Sequence, residues 1–201
     1  MKLSRLRSPG TARPAALAVL LLLGTSLGWA TLVPRLTMEQ MVDESASVVE
    51  GTVLRKWSEW DGAHQFIWTY YEIEVTDILK GAVGSTVTVS EPGGEAGGVH
   101  MSIVSVPTYE VGEQVVILLS PTEIGCFRTC GWGQGKFSVQ TSGGQKTVSA
   151  PGFGAQIVDL PSKNGEKSLG TARKSLDGLS LREFKSRLRE LIESSAGKED
   201  R

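Results

Sequence analysis

Between Ile67 and Thr76 the chain alternates without a break. Ile67, Thr69, Tyr71, Ile73 and Val75 fall on one face, and Trp68, Tyr70, Glu72, Glu74 and Thr76 on the other. A period of two sustained this long describes a strand with one face buried and excludes a helix. The segment before it has the same period. Val49, Gly51 and Val53 alternate with Glu50 and Thr52, the run continues from Trp57 to Trp60, and Asp61-Gly62 is a hairpin turn signal. Lys80-Gly81 stops the return strand. A third strand follows, with Val87 and Val89 inward and Thr86, Thr88 and Ser90 outward. Three consecutive strands joined by short turns commit this half of the chain to an antiparallel sheet.

The pattern persists downstream with more interruptions. Pro92 to Gly98 carries four glycines and reads as a loop, since glycine weakens strand and helix alike. Strand signals resume over Val99 to Val106, and Pro107 and Gly112 bracket a turn. Val115 to Leu119 is continuously apolar, as in a strand buried on both faces, and Pro121 ends it. Cys126 to Trp132 and Lys136 to Gln140 read as two more strands, split by Gly131, Gly133 and Gly135. Ser142-Gly143-Gly144 turns the chain into Lys146-Thr147-Val148. Two helices flank this series. Thr37 with Gln40 makes a capping box ahead of Met38, Met41 and Val42. Ser180 with Glu183 makes another ahead of Leu181, Phe184, Leu188, Leu191 and Ile192, a single apolar face. The second helix is expected over 179–194, with a frayed tail from Ser194. Residues 151–178, rich in Gly, Ser, Pro and Lys, read as a flexible connection with a turn at Asn164-Gly165. Short strands with Gly and Pro turns predict a β barrel or sandwich.

The first thirty residues stand apart. Lys2, Arg5, Arg7 and Arg13 precede an apolar run from Ala15 to Leu23, and Gly24, Ser26, Gly28 and Ala30 close it. Basic, apolar and then small is the order of a secretory signal peptide, with cleavage expected after Ala30. The apolar core is shorter than the roughly 20 residues that span a bilayer. Domain organisation is therefore a signal at 1–30, a β domain at 31–150, the connection at 151–178 and the closing helix. Removing residues 1–30 from 201 leaves 171 residues, and its four basic residues leave 17 against 22 acidic, a net −5. That acidity argues against a nucleic-acid partner, which takes Lys and Arg to neutralise phosphates. With no lipobox cysteine and no second apolar segment, the exported form is expected to be soluble and without a membrane anchor, in the periplasm or the medium.

Few residues carry a chemical signature. Gly24-Thr25-Ser26-Leu27-Gly28 matches a nucleophile elbow but lies inside the leader. Gly131-Trp132-Gly133-Gln134-Gly135-Lys136 fails the phosphate-loop spacing, and a tight turn with Trp132 packed over it is expected. His64 and His100 stand in no metal-ligand spacing, so neither metal nor cofactor is expected. Cys126 and Cys130 sit four residues apart. Along an extended strand that separates their Cα atoms by about 13 Å, against the roughly 7 Å a disulfide permits, so they bridge only if Phe127-Arg128-Thr129 turns. A local disulfide and two free thiols both remain open. Two groups are candidates for binding. Gly93 and Gly94, with Glu95 and His100 beside them, offer exposed backbone to a partner. Trp57, Trp60, Trp68 and Tyr70 cluster on the first hairpin, as aromatic residues do at interfaces.

Three stretches carry a resemblance: "ASVVEGTVLRKWSEWDG", "TYYEIEVTDILKG" and "STVTVSEPGGEAGG", with Pro107 to Leu119 completing the pattern. Over Leu36 to Val139 the chain resembles a widespread group of exported bacterial proteins without an assigned activity. More distantly, the strand–strand–"KG"–strand order is similar to netrin-like modules and tissue inhibitors of metalloproteases. That resemblance implies an OB-like, partly closed antiparallel barrel. It does not bring inhibition with it, because those inhibitors reach a catalytic zinc through an N-terminal cysteine and Thr31 stands here. The expected fold is thus mainly β, an OB-like barrel with a short N-terminal helix and a C-terminal amphipathic helix. The expected function is a non-enzymatic binding module for an unidentified protein or small molecule. A hydrolase-type enzyme with its site near the glycine stretch and a secreted protease inhibitor are the alternatives. The first requires His100, Glu95 and a Ser or Asp to converge, and the second requires a freely projecting N-terminus.

Overall fold

The computed structural model describes residues 33–150, 157–158 and 176–199. The expected signal at 1–30 and most of the expected connection at 151–178, including Asn164-Gly165, lie outside the described residues.

The chain enters through β1 (Val33–Pro34), which pairs in parallel with β11 (Ile157–Val158). Helix α1 (Met38–Glu44) follows. Its capping box is complete: Thr37 Oγ1 accepts from the Gln40 amide at 3.0 Å, and Gln40 Oε1 accepts from the Thr37 amide at 2.8 Å. Met38, Met41 and Val42 are buried, as their spacing predicts. At the other end Lys80 Nζ donates to the Val42 and Ser45 carbonyls at 2.5 and 2.7 Å, satisfying acceptors that a helix of this length leaves open. A Thr37→Ala variant is expected to lose about 1 kcal/mol of stability. Urea unfolding followed by circular dichroism would read it, and an unchanged midpoint would leave the cap without an energetic role.

The barrel comes next. β2 (Ser47–Trp60) and β3 (Ile67–Lys80) form the long first hairpin, and β4 (Thr86–Pro92) adds to β3. Three irregularities interrupt the β2–β3 ladder, with Leu79 and Thr76 as the extra residues on β3 and Leu54 on β2, and they curl the hairpin. This lets β2 pair on its other edge with β7 (Gln114–Pro121). β8 (Phe127–Thr129) then pairs with β7 and, through the single parallel pair Val89–Phe127, with β4. The circuit β7–β2–β3–β4–β8–β7 closes a five-stranded barrel of OB type. β9 (Lys136–Ser142) and β10 (Gln145–Ser149) extend the sheet outward from β7.

Two cores result, and β7 belongs to both. Val115, Ile117 and Leu119 point into the barrel with Val49, Val53, Tyr71 and Ile73. Val116 and Leu118 point outward with Phe137, under α1 and the closing helix α2 (Leu181–Glu199). That is why the run from Val115 to Leu119 is apolar throughout. Helix α2 lays Leu181, Phe184 and Leu188 on this outer layer. Lys185 bridges Glu50 and Asp77, both at 2.5 Å, and Arg189 reaches Asp77 at 3.0 Å. Lys185 and Arg189 hold the Asp77 carboxyl below its usual range.

Several expectations need correction. The closing helix does not fray at Ser194 but continues to Glu199, with Ser195 bonded to Asp43 of α1. Only the Ser180 half of its capping box forms, at 3.2 Å, since Glu183 turns instead to Arg187. The glycine stretch is not a plain loop. Gly94–Ala96 (β5) and Val99–Met101 (β6) form a small hairpin, turned at Gly97-Gly98, whose φ values of 60° and 77° suit a tight two-residue turn. The expected strand over Val99 to Val106 ends at Met101. Ser90 is buried rather than outward, because β8 covers that edge of β4. Trp132 does not pack over its turn. It is 39% exposed with φ at +59°, at the start of a single 3-10 turn, Trp132–Gly135, that ends the strand expected to reach it.

Candidate ligand cavity at the barrel mouth

The inward phase of β4 runs Val87, Val89, Glu91. It carries a carboxylate into the barrel, where Glu91 is 1% exposed. Opposite it on β3 stands Thr69. Glu91 Oε1 accepts from the Thr129 amide at 2.9 Å, while Oε2 is buried without a hydrogen-bond partner. Burial pushes the carboxyl up to about 7, against the pull of the Thr129 donors and the more distant Arg128 charge. Tyr71 and Tyr109 flank it, with ring centroids 4.8 Å apart. The Tyr109 hydroxyl bonds to Thr129 Oγ1. Burial raises both phenols, Tyr71 to about 12 and Tyr109 well above its ordinary value, so both stay neutral.

The β5–β6 hairpin roofs this end of the barrel. It lies hard against the first hairpin: the Gly93 amide donates to the Ile67 carbonyl at 2.7 Å, and Thr69 Oγ1 donates to the Gly93 carbonyl at 2.6 Å. Ser58 and Thr69 share a hydroxyl contact at 2.8 Å. The approach explains Gly94. Its φ is +129°, and a Cβ there would lie 2.1 Å from Thr69 Oγ1. At the tip, a Cβ on Gly97 would meet Trp60 Nε1 at 3.5 Å.

Between roof and floor is a cavity of about 340 Å³, with Tyr71, Glu91, Gly93, Gly94 and Met101 in its wall. Lys56, Glu95 and His100 mark its polar rim. Lys56 Nζ pairs with Glu110 at 3.2 Å and stands 5.9 Å from the centroid of the Tyr71 ring.

The structure divides the sequence candidates between two places. Gly93, Gly94, Glu95 and His100 meet at this cavity, Glu95 directly across the hairpin from His100. Trp57, Trp60, Trp68 and Tyr70 lie half-buried on the outside of the barrel. Trp57 stacks on Tyr70 at 5.4 Å with Arg55 over it at 5.0 Å, so its faces are engaged. Trp60 stacks on His64 at 4.4 Å. Trp68, beneath the Arg128 guanidinium at 4.8 Å, and Tyr70 border a separate groove with Ile124, Trp132 and Gln134. Glu91 lines both depressions, because β4 and β8 part beyond their single pair.

Glu91 is the residue that sequence reasoning missed. Its signal was its phase, two positions after Val89, but a carboxylate next to Pro92 reads as the solvated end of a strand. Tyr109 had no periodic signal at all, since it sits in an irregular segment.

The convergence required of an enzyme is partial. Glu95 and His100 are both exposed, and among the described residues no hydrogen bond joins His100 to a Ser or Asp. The N-terminal segment does not project freely: Val33–Pro34 pairs with Ile157–Val158, and Gln134 bonds both the Pro34 carbonyl at 2.8 Å and the Leu36 amide at 3.0 Å. Cys126 and Cys130 are free thiols at either end of the extended β8, so the turn that a bridge needs is absent. Cys130 is buried, which raises its thiol. Among the described residues no cluster of three His, Cys, Asp or Glu could hold a metal ion, and no helix is long and apolar enough to cross a membrane. No protein-family model matches the chain, and no curated protein matches it.

Proposed function

We propose that the protein is an exported, non-enzymatic binding module that takes a small molecule into the cavity at the barrel mouth, beneath the β5–β6 hairpin. One observation carries the reading: Glu91 Oε2 is buried beside the cavity with nothing to bond. Buried polar atoms are nearly always satisfied, and leaving one without a partner costs roughly 1–3 kcal/mol. A ligand donor would supply the missing bond. The space of about 340 Å³ falls in the range of small-molecule sites. The roof of glycines gives close backbone approach, and the rim holds polar groups of both signs. Export rests on the basic, apolar and small order of the first thirty residues.

Gly94→Val tests the reading, since a side chain there must push the hairpin off Thr69. Amide NMR of the parent titrated with a mixture of soluble small-molecule fragments is expected to shift Gly93, Gly94 and Thr129. In the variant, verified as folded by circular dichroism, those shifts are expected to vanish. Parent shifts clustered elsewhere on the barrel would overturn the proposal.

A further inference from the structure

Glu91 has a second consequence, which concerns the chemical class of the ligand. At pH 8 its carboxyl is mostly ionised, since burial places its titration at about 7. Only one of its oxygens is bonded. A buried charge without a counter-charge is among the costlier features a fold can keep, and an opposite charge offsets it best. The groups facing Glu91 do not supply one at bonding distance. Tyr71 and Tyr109 are neutral phenols. Arg128 lies outside the barrel on the Trp68 ring, and its own Nε is buried without a partner. Lys56 stays at the rim with Glu110, while Glu95 and His100 are exposed on the roof. The Lys56 ammonium nevertheless stands over the Tyr71 ring, so the mouth already accommodates a cation on that aromatic face.

We infer that the Glu91 end of the cavity is a recognition subsite for a small organic cation, the ammonium group of a compact amine. The ammonium donates to Glu91 Oε2, and its alkyl part packs on Tyr71 and Met101 beneath the glycine roof. Lys56 is the gatekeeper, a like charge that the ligand must pass. This inference rests on the cavity reading above and deepens it.

Three probes of one shape separate the two: butylammonium, 1-butanol and butyrate, titrated at pH 8 and read at the Gly93, Gly94 and Thr129 amides. Butylammonium is expected to bind at least tenfold more tightly than 1-butanol, and butyrate more weakly than either. Glu91→Gln is expected to abolish that tenfold preference, with butylammonium no longer bound more tightly than 1-butanol. Glu95→Gln, at the rim, is expected to preserve it, and Lys56→Met to tighten butylammonium binding several-fold. If the preference survives Glu91→Gln, or if Glu95→Gln alone removes it, the cation subsite is overturned while the cavity stands. If butanol or butyrate binds as well as butylammonium, the same conclusion holds. If none of the probes moves these amides, the subsite and the cavity reading fall together.

Discussion

A Glu91→Gln variant should unfold at a higher urea concentration than the parent at pH 8, and at nearly the same concentration at pH 4.5. The sign follows from where the carboxyl titrates. In the unfolded chain it has its ordinary value of 4.5, and in the barrel it is raised to about 7. Between those values the folded state binds more protons than the unfolded one, so stability falls as pH rises through the window. Above about 7 the loss is complete. At ~1.4 kcal/mol per pH unit it is on the order of 3 kcal/mol. Glutamine keeps an oxygen for the Thr129 amide and removes the charge, so the slope between pH 4.5 and 7 should flatten. The Asp77 contribution does not overlap. Its pKa is lowered by the Lys185 hydrogen bond and by the charges of Lys185 and Arg189, so the stability it confers is lost only as pH falls below the usual 3.8. Urea midpoints at pH 4.5, 6, 7 and 8 would decide the matter. A parent with no slope across this range would show that the carboxylate is not buried as described.

Phe184→Ala should cost the most of any single substitution outside the barrel. Phe184 is fully buried and meets Phe137 at 4.8 Å between ring centroids, in an inclined arrangement that aromatic pairs favour. It anchors the middle of the apolar stripe of α2, between Leu181 and Leu188. Truncating a buried phenylalanine costs roughly 3–5 kcal/mol. The exposed Arg187–Glu183 and Arg189–Asp77 pairs cannot compensate, because ion pairs near the surface contribute about 0–1 kcal/mol each. Two outcomes are distinguishable by the denaturant dependence. An unchanged slope with a lower midpoint means that α2 stays docked over a cavity. A smaller slope means that α2 has left the sheet in the starting state, exposing Val116, Leu118 and Phe137. A loss below about 1 kcal/mol would show that the helix contributes little to the fold.

The elements that could be read from sequence are those where one physical cause acted alone. The β2–β3 hairpin is legible because a single face of Ile67, Thr69, Tyr71 and Ile73 is buried. Helix α1 is legible because Thr37 and Gln40 satisfy each other locally. The barrel type came from resemblance rather than periodicity, since closure depends on strands far apart in sequence, Val89 with Phe127 for instance. Tertiary contacts overrode local preference elsewhere. The glycines of Gly93–Gly98 weaken any strand intrinsically, yet the segment pairs as β5–β6, and at Gly93 and Gly94 a Cβ would run into Met101 and Thr69. At the candidate site, the roof residues announced themselves through composition. The floor did not, because Glu91 is defined by what surrounds it, and those neighbours come from β3, β8 and the segment around Tyr109.

The double burial of β7 leaves a problem of alignment. In a strand with one wet face, slipping by one residue would throw its apolar set into water, and that penalty fixes the pairing. Val115 to Leu119 has no such protection, since all five side chains are 0% exposed and a slip would only exchange one apolar layer for the other. Alignment must therefore be written at the ends of the strand. At one end Glu113 accepts from Lys136 Nζ at 2.9 Å, from Ser138 Oγ at 2.6 Å and from the Glu110 amide at 3.0 Å, which locks β7 to β9. At the other, Pro121 lacks the amide that a shifted ladder would call on. This apolar strand is held in place by a part-buried polar cluster at one end and a proline at the other.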